Sequence, residues 1–258
     1  RRWRNHMFKV ATWREIGDFR AAMQAECYDA VIDTQGLLKS ALIACQAQGP
    51  LAGYAADSAR ESLAARFYDS RFSIPKQAHA VVRNRQLAAA ALGYILEGDP
   101  DYGIMAPAVR FDWLPPVRYV VFLTATSRSD KLWPEALWTT LGQQLQMLGY
   151  RVVLPGGSAG ERQRASRLAA TIPEAIAAPP LGIAELVSLL GGAQAVIGVD
   201  TGLSHLAVAL KTPTVAIYTA TDPGLTGVLG SGYHRNLGGK GQMPSPDAVL
   251  EALRQVLG

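Results

Sequence analysis

Between residues 119 and 257 the chain switches repeatedly between two hydrophobic patterns, and this alternation restricts the fold more than any other feature. "YVVFLTAT", "YRVVLPGG", "QAVIGVD" and "TPTVAIYT" each hold a short continuous apolar run. Between and after them lie "PEALWTTLGQQLQMLG", "GERQRASRLAATI", "IAELVSLLGGA", "LSHLAVALK" and "SPDAVLEALRQVL", all with helical spacing. A strand that is apolar on both sides must be covered on both faces. Such strands alternating with helices predict a parallel sheet sandwiched by helices.

The first hundred residues repeat the theme less clearly. "YDAVIDTQG" reads as a buried strand entering a loop, and "LLKSALIACQA" as a helix. "SARESLAARFYDSRF" reads as amphipathic, with Leu63, Ala64 and Phe67 on one side, and "HAVVRNRQLAAAALGY" as a helix ending at Gly93. "LEGDPDYGIMAPAVRFDWLPPVR" then breaks the pattern with four prolines and two glycines, the composition of a linker. The expected fold class is α/β with two Rossmann-like domains. The first covers residues 1–105 and has few strands for such a domain, the second covers 106–245, and a terminal helix covers 246–258. A chain of 258 residues, 49% of them hydrophobic, is large enough for these cores.

Composition removes several classes. No segment approaches the roughly eighteen apolar residues of a membrane span. The opening "RRWRNHMFKVATWREIGDF" is basic and aromatic, without the apolar centre of a signal peptide, and it lacks an initiator Met, so the natural chain is expected to begin upstream. Cys27 and Cys45, with no CxxC, predict reduced and buried thiols. A net charge of +4 suits an anionic partner but is too small to suggest nucleic acid. Arg1, Arg2 and Arg4 beside Trp3 form either a solvated face or a contact with phosphates or lipid headgroups.

Three strand-to-helix junctions in the second half are unusually polar. In an open parallel sheet, ligands bind where strand carboxyl ends meet helix N-termini. "LTATSRSDKLWPEALW" places Thr124, Thr126, Ser127, Ser129 and Lys131 before a helix opening near Pro134, a set suited either to phosphate or to capping a solvated loop. "RVVLPGGSAGERQR" has Pro155 in the first glycine position of G-x-G-x-x-G. Its Glu161 suits either the positive end of a helix or the hydroxyls of a ribose. "VIGVDTGLSHLAVAL" carries a core stripe of Leu203, Leu206, Ala207 and Leu210, from which His205 diverges. Asp200 or Thr201 is the expected N-cap, and Gly202 allows close approach to the backbone. The "DPD" at 99–101 reads as a turn, "GGKG" lacks the surroundings of a P-loop, and no zinc spacing is present. Neither a metal nor a cofactor is expected.

Taken as a set, "TSRSDKLWPEALW", "DTGLSHLAVAL" and "TDPGLTG" resemble the nucleotide-binding domain of the bacterial lipopolysaccharide heptosyltransferases. "IDTQGLLKSAL", "SARESLAARFY" and "RRWR" extend the resemblance through the first half. "SDKLWP" and "TGLSH" are nearer the type I branch. The type II branch tends to carry Ala-Lys-Arg-Trp-Pro and Ser-Gly-Leu-Met-His there. The resemblance implies the GT-B fold, two Rossmann-like domains facing a cleft, and inverting, metal-independent transfer of L-glycero-D-manno-heptose. The donor is ADP-heptose and the acceptor a Kdo sugar on lipid A, reached from the cytoplasmic face of the inner membrane.

Residue by residue, the resemblance implies that Thr126, Ser127 and Lys131 hold the diphosphate, with Lys131 offsetting the charge of the leaving ADP. It assigns Glu161 to the ribose, Leu181 to the adenine, and Asp200, Thr201, Gly202 and His205 to the diphosphate and sugar. Lys39, Arg60 and Arg83, with Arg1, Arg2 and Arg4, would meet the acceptor's phosphates and carboxylates. The family's general base is an Asp in a glycine-rich loop that precedes "RRWR" and is not in this sequence; Asp18, Asp33 and Asp200 do not match it. The chain as given is therefore expected to bind donor and to transfer poorly. The alternatives are a nucleotide-binding module without catalysis and a type II heptosyltransferase. A nicotinamide oxidoreductase is disfavoured by the missing G-x-G-x-x-G.

Overall fold

The computed structural model describes residues 9–258, which divide into two compact units at Glu97/Gly98. Arg1, Arg2 and Arg4 lie outside the described residues.

The first unit contains a parallel sheet of three strands, β1 (Val31–Asp33), β2 (Leu51–Tyr54) and β3 (Ser70–Phe72), in that order. Helix α1 (Val10–Gln24) precedes it, and α2 (Leu38–Ala44) and α3 (Ala80–Leu92) pack on it. Gly93 ends α3 in a left-handed conformation at φ 70°, the usual glycine stop. The amphipathic reading of residues 58–72 is corrected. Only a six-residue 3-10 helix, Ser62–Phe67, forms there, and it buries Ala64 and Ala65 while Leu63 and Phe67 stay exposed. The chain then turns into β3. β2 escapes a pattern reading because "LAGY" is short, and its Gly53 leaves room for the ring of Tyr68. A Cβ there would sit 2.3 Å from that ring. Both cysteines are exposed rather than buried. Cys27 Sγ lies 3.1 Å from Gln48 Oε1, on the rim of this unit.

The second unit is built on six parallel strands: β4 (Tyr119–Leu123), β5 (Arg151–Leu154), β6 (Ile176–Ala177), β7 (Ala195–Val199), β8 (Thr214–Tyr218) and β9 (His234–Gly238). Their order is β6-β5-β4-β7-β8-β9. β4, β7 and β8 are buried at every position, which explains their continuous apolar runs. Side chains of β4 alternate between the faces as the pleat requires. Val120 and Phe122 join a core with Trp133, Trp138 and Leu141, while Val121 and Leu123 join another with Leu189, Leu190 and Ala207. The first core is covered by α4 (Glu135–Met147), α5 (Ala159–Thr171) and α9 (Pro246–Leu257). The second is covered by α6 (Ile183–Gly191) and α7 (Gly202–Ala209). A short helix, α8 (Pro223–Thr226), follows β8. The Pro-rich stretch holds no helix or strand, yet Phe111, Trp113 and Leu114 pack against the second core.

The strand order fixes where a ligand can enter. Successive strands run outward from β4 to β6 on one side and from β7 to β9 on the other, so the direction of winding reverses between β4 and β7. The loops leaving those two strands diverge there and open a crevice at their carboxyl ends.

Candidate functional site

Two of the three polar junctions leave β4 and β7, and the third leaves β5 beside them. A pocket of about 220 Å³ lies at this edge. The β4 loop contributes Thr124, Thr126 and Ser127, and the β5 loop contributes Pro155, Gly156, Gly157 and Glu161. Leu123, Ala125, Leu181, Leu186, Thr201 and Leu203 complete the lining. Of the nine donor residues expected from sequence, Thr126, Ser127, Glu161, Leu181 and Thr201 line the pocket directly. Lys131 and Asp200 are joined to that wall by hydrogen bonds. Gly202 and His205 follow Thr201 on the first turn of α7.

Lys131 reaches the site because residues 129–131 form a 3-10 turn that lifts it off the β4 loop. Its Nζ pairs with Asp200 Oδ2 at 2.7 Å, and the two side chains are only 18% and 11% exposed. Thr126 Oγ1 donates to the Asp200 carbonyl at 2.9 Å, tying the β4 loop to the β7 loop. Beyond Lys131, Trp133 is fully buried and donates its indole N–H to the Pro244 carbonyl. From α5, Arg164 donates to the Trp133 carbonyl at 2.8 Å and to Glu135 at 3.1 Å. The cationic end of this loop is thus anchored to the helix that also bears Glu161.

Of the two residues expected at the N-cap of α7, Thr201 takes the position and Asp200 does not. Thr201 occupies the cap position without a side-chain hydrogen bond, and the Asp200 carboxylate is turned to Lys131 instead. The first backbone N–H groups of α7 are therefore left without a capping side chain at the edge of the pocket, where an anion would satisfy them. Ser204, buried behind them, donates to the Val199 carbonyl at 2.8 Å and pins the helix to its strand. Gly198 makes this possible, since a Cβ there would fall 2.3 Å from Ser204 Oγ.

For Glu161 the sequence left a choice between capping and ribose binding, and the geometry accommodates both. Ser158 Oγ accepts from the Glu161 N–H, and Glu161 Oε2 accepts from the N–H groups of Gly157 and Ser158 at 2.8 and 3.0 Å. This is a capping box. It commits one carboxylate oxygen and fixes the side chain on the pocket wall, with Oε1 remaining to accept from a ligand hydroxyl.

One group of contacts was not legible as part of the site. The loop after β8 sends Thr221 Oγ1 to Asp200 Oδ2 at 2.6 Å and Thr219 Oγ1 to the Asp130 carbonyl at 2.8 Å. The only signal for it is the "TDPGLTG" string itself, whose Asp222 caps α8.

In the first unit, Arg60 and Arg83 share a second pocket of about 240 Å³ with Thr34, Gln35, Tyr54 and Asn84. The Arg83 guanidinium stacks 4.6 Å from the Tyr54 ring centroid and donates to the Ser58 carbonyl at 2.7 Å, while its Nε is buried without a partner. Lys39 is exposed on α2 and is not part of that lining. Asp33 is buried and accepts from the Gln35 and Gly36 N–H groups, Ser40 and Tyr68. The phenol of Tyr68 is accordingly pushed up, by burial first and by the Asp33 hydrogen bond second. With four donors on its two oxygens, Asp33 organises the loop after β1.

The profile of glycosyltransferase family 9 (heptosyltransferase) matches residues 16–249. The chain belongs to this family. It is 44% identical over 232 residues to lipopolysaccharide heptosyltransferase 1 of Pseudomonas aeruginosa, a match spanning 89% of this chain and 65% of the relative. It is 43% identical to the Escherichia coli K12 enzyme of the same name, spanning 92% of this chain and 73% of the relative. The chain thus spans about two thirds of the length of the first of these. Among solved structures it is similar to E. coli heptosyltransferase WaaC with ADP, at a TM-score of 0.87 and 39% identity, covering 98% of this chain and 81% of that one. The same enzyme with ADP-2-deoxy-2-fluoro heptose gives a TM-score of 0.83 and 37% identity over 98% and 80%. The α/β class with parallel sheets agrees with the fold expected for this glycosyltransferase family.

Proposed function

We propose that the second unit binds ADP-heptose and that the protein transfers the heptose, with inversion, to a Kdo sugar of the lipopolysaccharide inner core. The observation that carries this reading is the Lys131–Asp200 pair beside the N-terminus of α7 and a pocket with both polar and apolar walls at the β4/β7 switch point. A diphosphate suits the β4 loop at Thr126 and Ser127, the Lys131 ammonium and the N–H groups at the start of α7. Glu161 Oε1 suits the ribose, and the apolar side formed by Pro155, Leu181 and Leu186 suits the adenine. His205, half-buried on α7, belongs on the sugar side of the diphosphate.

In the proposed reaction the anomeric C–O bond to the diphosphate breaks and its electron pair leaves with ADP. Lys131 and the α7 N–H groups stabilise the charge that accumulates, an effect worth several kcal/mol at a sheltered site. A new C–O bond forms to the acceptor hydroxyl, whose proton passes to a general base. Neither Asp33 nor Asp200 suits that task, since both carboxylates are already held by donors. These steps proceed without a metal.

The acceptor is an anionic lipid, and the Arg60–Arg83 pocket is the basic recess in the first unit that suits its carboxylates or phosphates. Lys39 and the Arg1, Arg2 and Arg4 cluster are proposed to add to this basic surface. Among the described residues no helix is long and apolar enough to cross a membrane. We place the protein at the cytoplasmic face of the inner membrane, in peripheral contact. The test is ADP release by the natural gene product. Release that requires both ADP-heptose and a Kdo-bearing lipid supports the reading. ADP binding without transfer by that product favours a nucleotide-binding module instead.

A further inference from the structure

Asp200 Oδ2 accepts two hydrogen bonds, from Lys131 Nζ at 2.7 Å and from Thr221 Oγ1 at 2.6 Å. The two donors come from different loops, after β4 and after β8. The carboxylate is largely sheltered, so an oxygen stripped of its donors would carry a substantial desolvation penalty. If Lys131 is to serve a diphosphate, as proposed above, its ammonium must shift its attention from Asp200 to the ligand. At that moment Asp200 would become a poorly satisfied anion beside another anion.

We infer that Thr221 is a positioning residue that makes this exchange possible. Its hydroxyl already sits on the oxygen that Lys131 leaves, so the carboxylate keeps a strong donor while the ammonium turns to the diphosphate. The same hydrogen bond draws charge from Oδ2 and weakens its grip on Lys131 before ligand arrives. Thr219, two residues earlier, fixes the Asp130 carbonyl and so the turn that carries Lys131. One loop therefore sets both partners of the ion pair. Thr221 does not line the donor pocket, and its effect runs through Asp200.

The inference rests on the donor-site reading, and a coupling experiment separates the two. ADP affinity is measured by calorimetry for the protein and for Thr221→Val, Thr221→Ser, Asp200→Asn and the Thr221→Val/Asp200→Asn double variant. Loss of a hydrogen bond to a charged group predicts that Thr221→Val weakens ADP binding about tenfold, with Thr221→Ser restoring it. In the Asp200→Asn background no anion needs a substitute donor, so Thr221→Val should then change the affinity less than about twofold. Equal weakening by Thr221→Val in both backgrounds would overturn the inference and make Thr221 merely structural. So would an unchanged affinity in the single variant. Failure of Lys131→Ala to weaken ADP binding would instead overturn the donor-site reading itself.

Discussion

Lys131 and Asp200 lie on loops after β4 and β7, yet their charged atoms meet at 2.7 Å where the winding of the sheet reverses. The pair stores a cation at the position where a diphosphate would enter. Lys131→Ala removes that cation and leaves Asp200 repelling the ligand. A loss of about 1.4 to 2.8 kcal/mol, roughly ten- to a hundredfold in ADP affinity, is the expected outcome in calorimetry. The fold should survive, because the Trp133 anchor is untouched, but the sheltered Asp200 left without its cation should lower the melting temperature by a few degrees.

Glu161 has two tasks that substitutions can separate. Glu161→Ala removes both the capping box and the proposed ribose acceptor, so stability should fall by about 1 kcal/mol and ADP binding should weaken. Glu161→Gln retains the reciprocal cap, since Gln serves at that position. It should keep the melting temperature while losing part of the affinity. Parallel thermal melts and titrations distinguish the two effects.

Gly198 and Ser204 form a steric couple behind the site. A methyl group on Gly198 would lie 2.3 Å from Ser204 Oγ and 3.0 Å from Leu123 Cβ. Gly198→Ala is expected to destabilise the second unit by about 1–3 kcal/mol. Adding Ser204→Ala should recover part of the loss by clearing the nearer clash. Denaturant melts of the single and double variants give the comparison.

Much of the second unit was legible because β4, β7 and β8 are buried on both faces and so write continuous apolar runs into the sequence. β9 was not, because "HRNLG" lies at the sheet edge with four of its residues half-buried and one exposed. The 3-10 helix at Ser62–Phe67 misled in the opposite way. Its apolar residues follow a helical spacing, but Leu63 and Phe67 face outward while small alanines pack inward. Within the site, the local strings picked out Thr126, Glu161 and Thr201. They could not reveal that Asp200 forgoes the cap for Lys131, nor that Thr221 joins it. Those choices depend on contacts between loops brought together only by strand order.

The acid limb of stability should carry a mark from Glu135. Its hydrogen bond to Arg167, aided by the charges of Arg164 and Arg167, holds the carboxyl below the usual range. A depressed folded-state pKa gives stability that is complete above the unfolded value near 4.5 and is lost as pH falls through the folded value. Glu135→Gln should therefore lower stability at neutral pH and flatten its decline below about pH 4.5. Thermal melts between neutral pH and pH 3 test this.

The central claim is that the β4/β7 crevice is an ADP-heptose site, and a crystal structure with a non-transferable ADP-heptose analogue tests it most directly. The account predicts the diphosphate within hydrogen-bonding reach of Thr126, Ser127, Lys131 Nζ and the first N–H groups of α7. It also places the ribose on Glu161 and the adenine against Leu181. An analogue bound with its diphosphate away from Lys131, or bound only in the first unit, would contradict it.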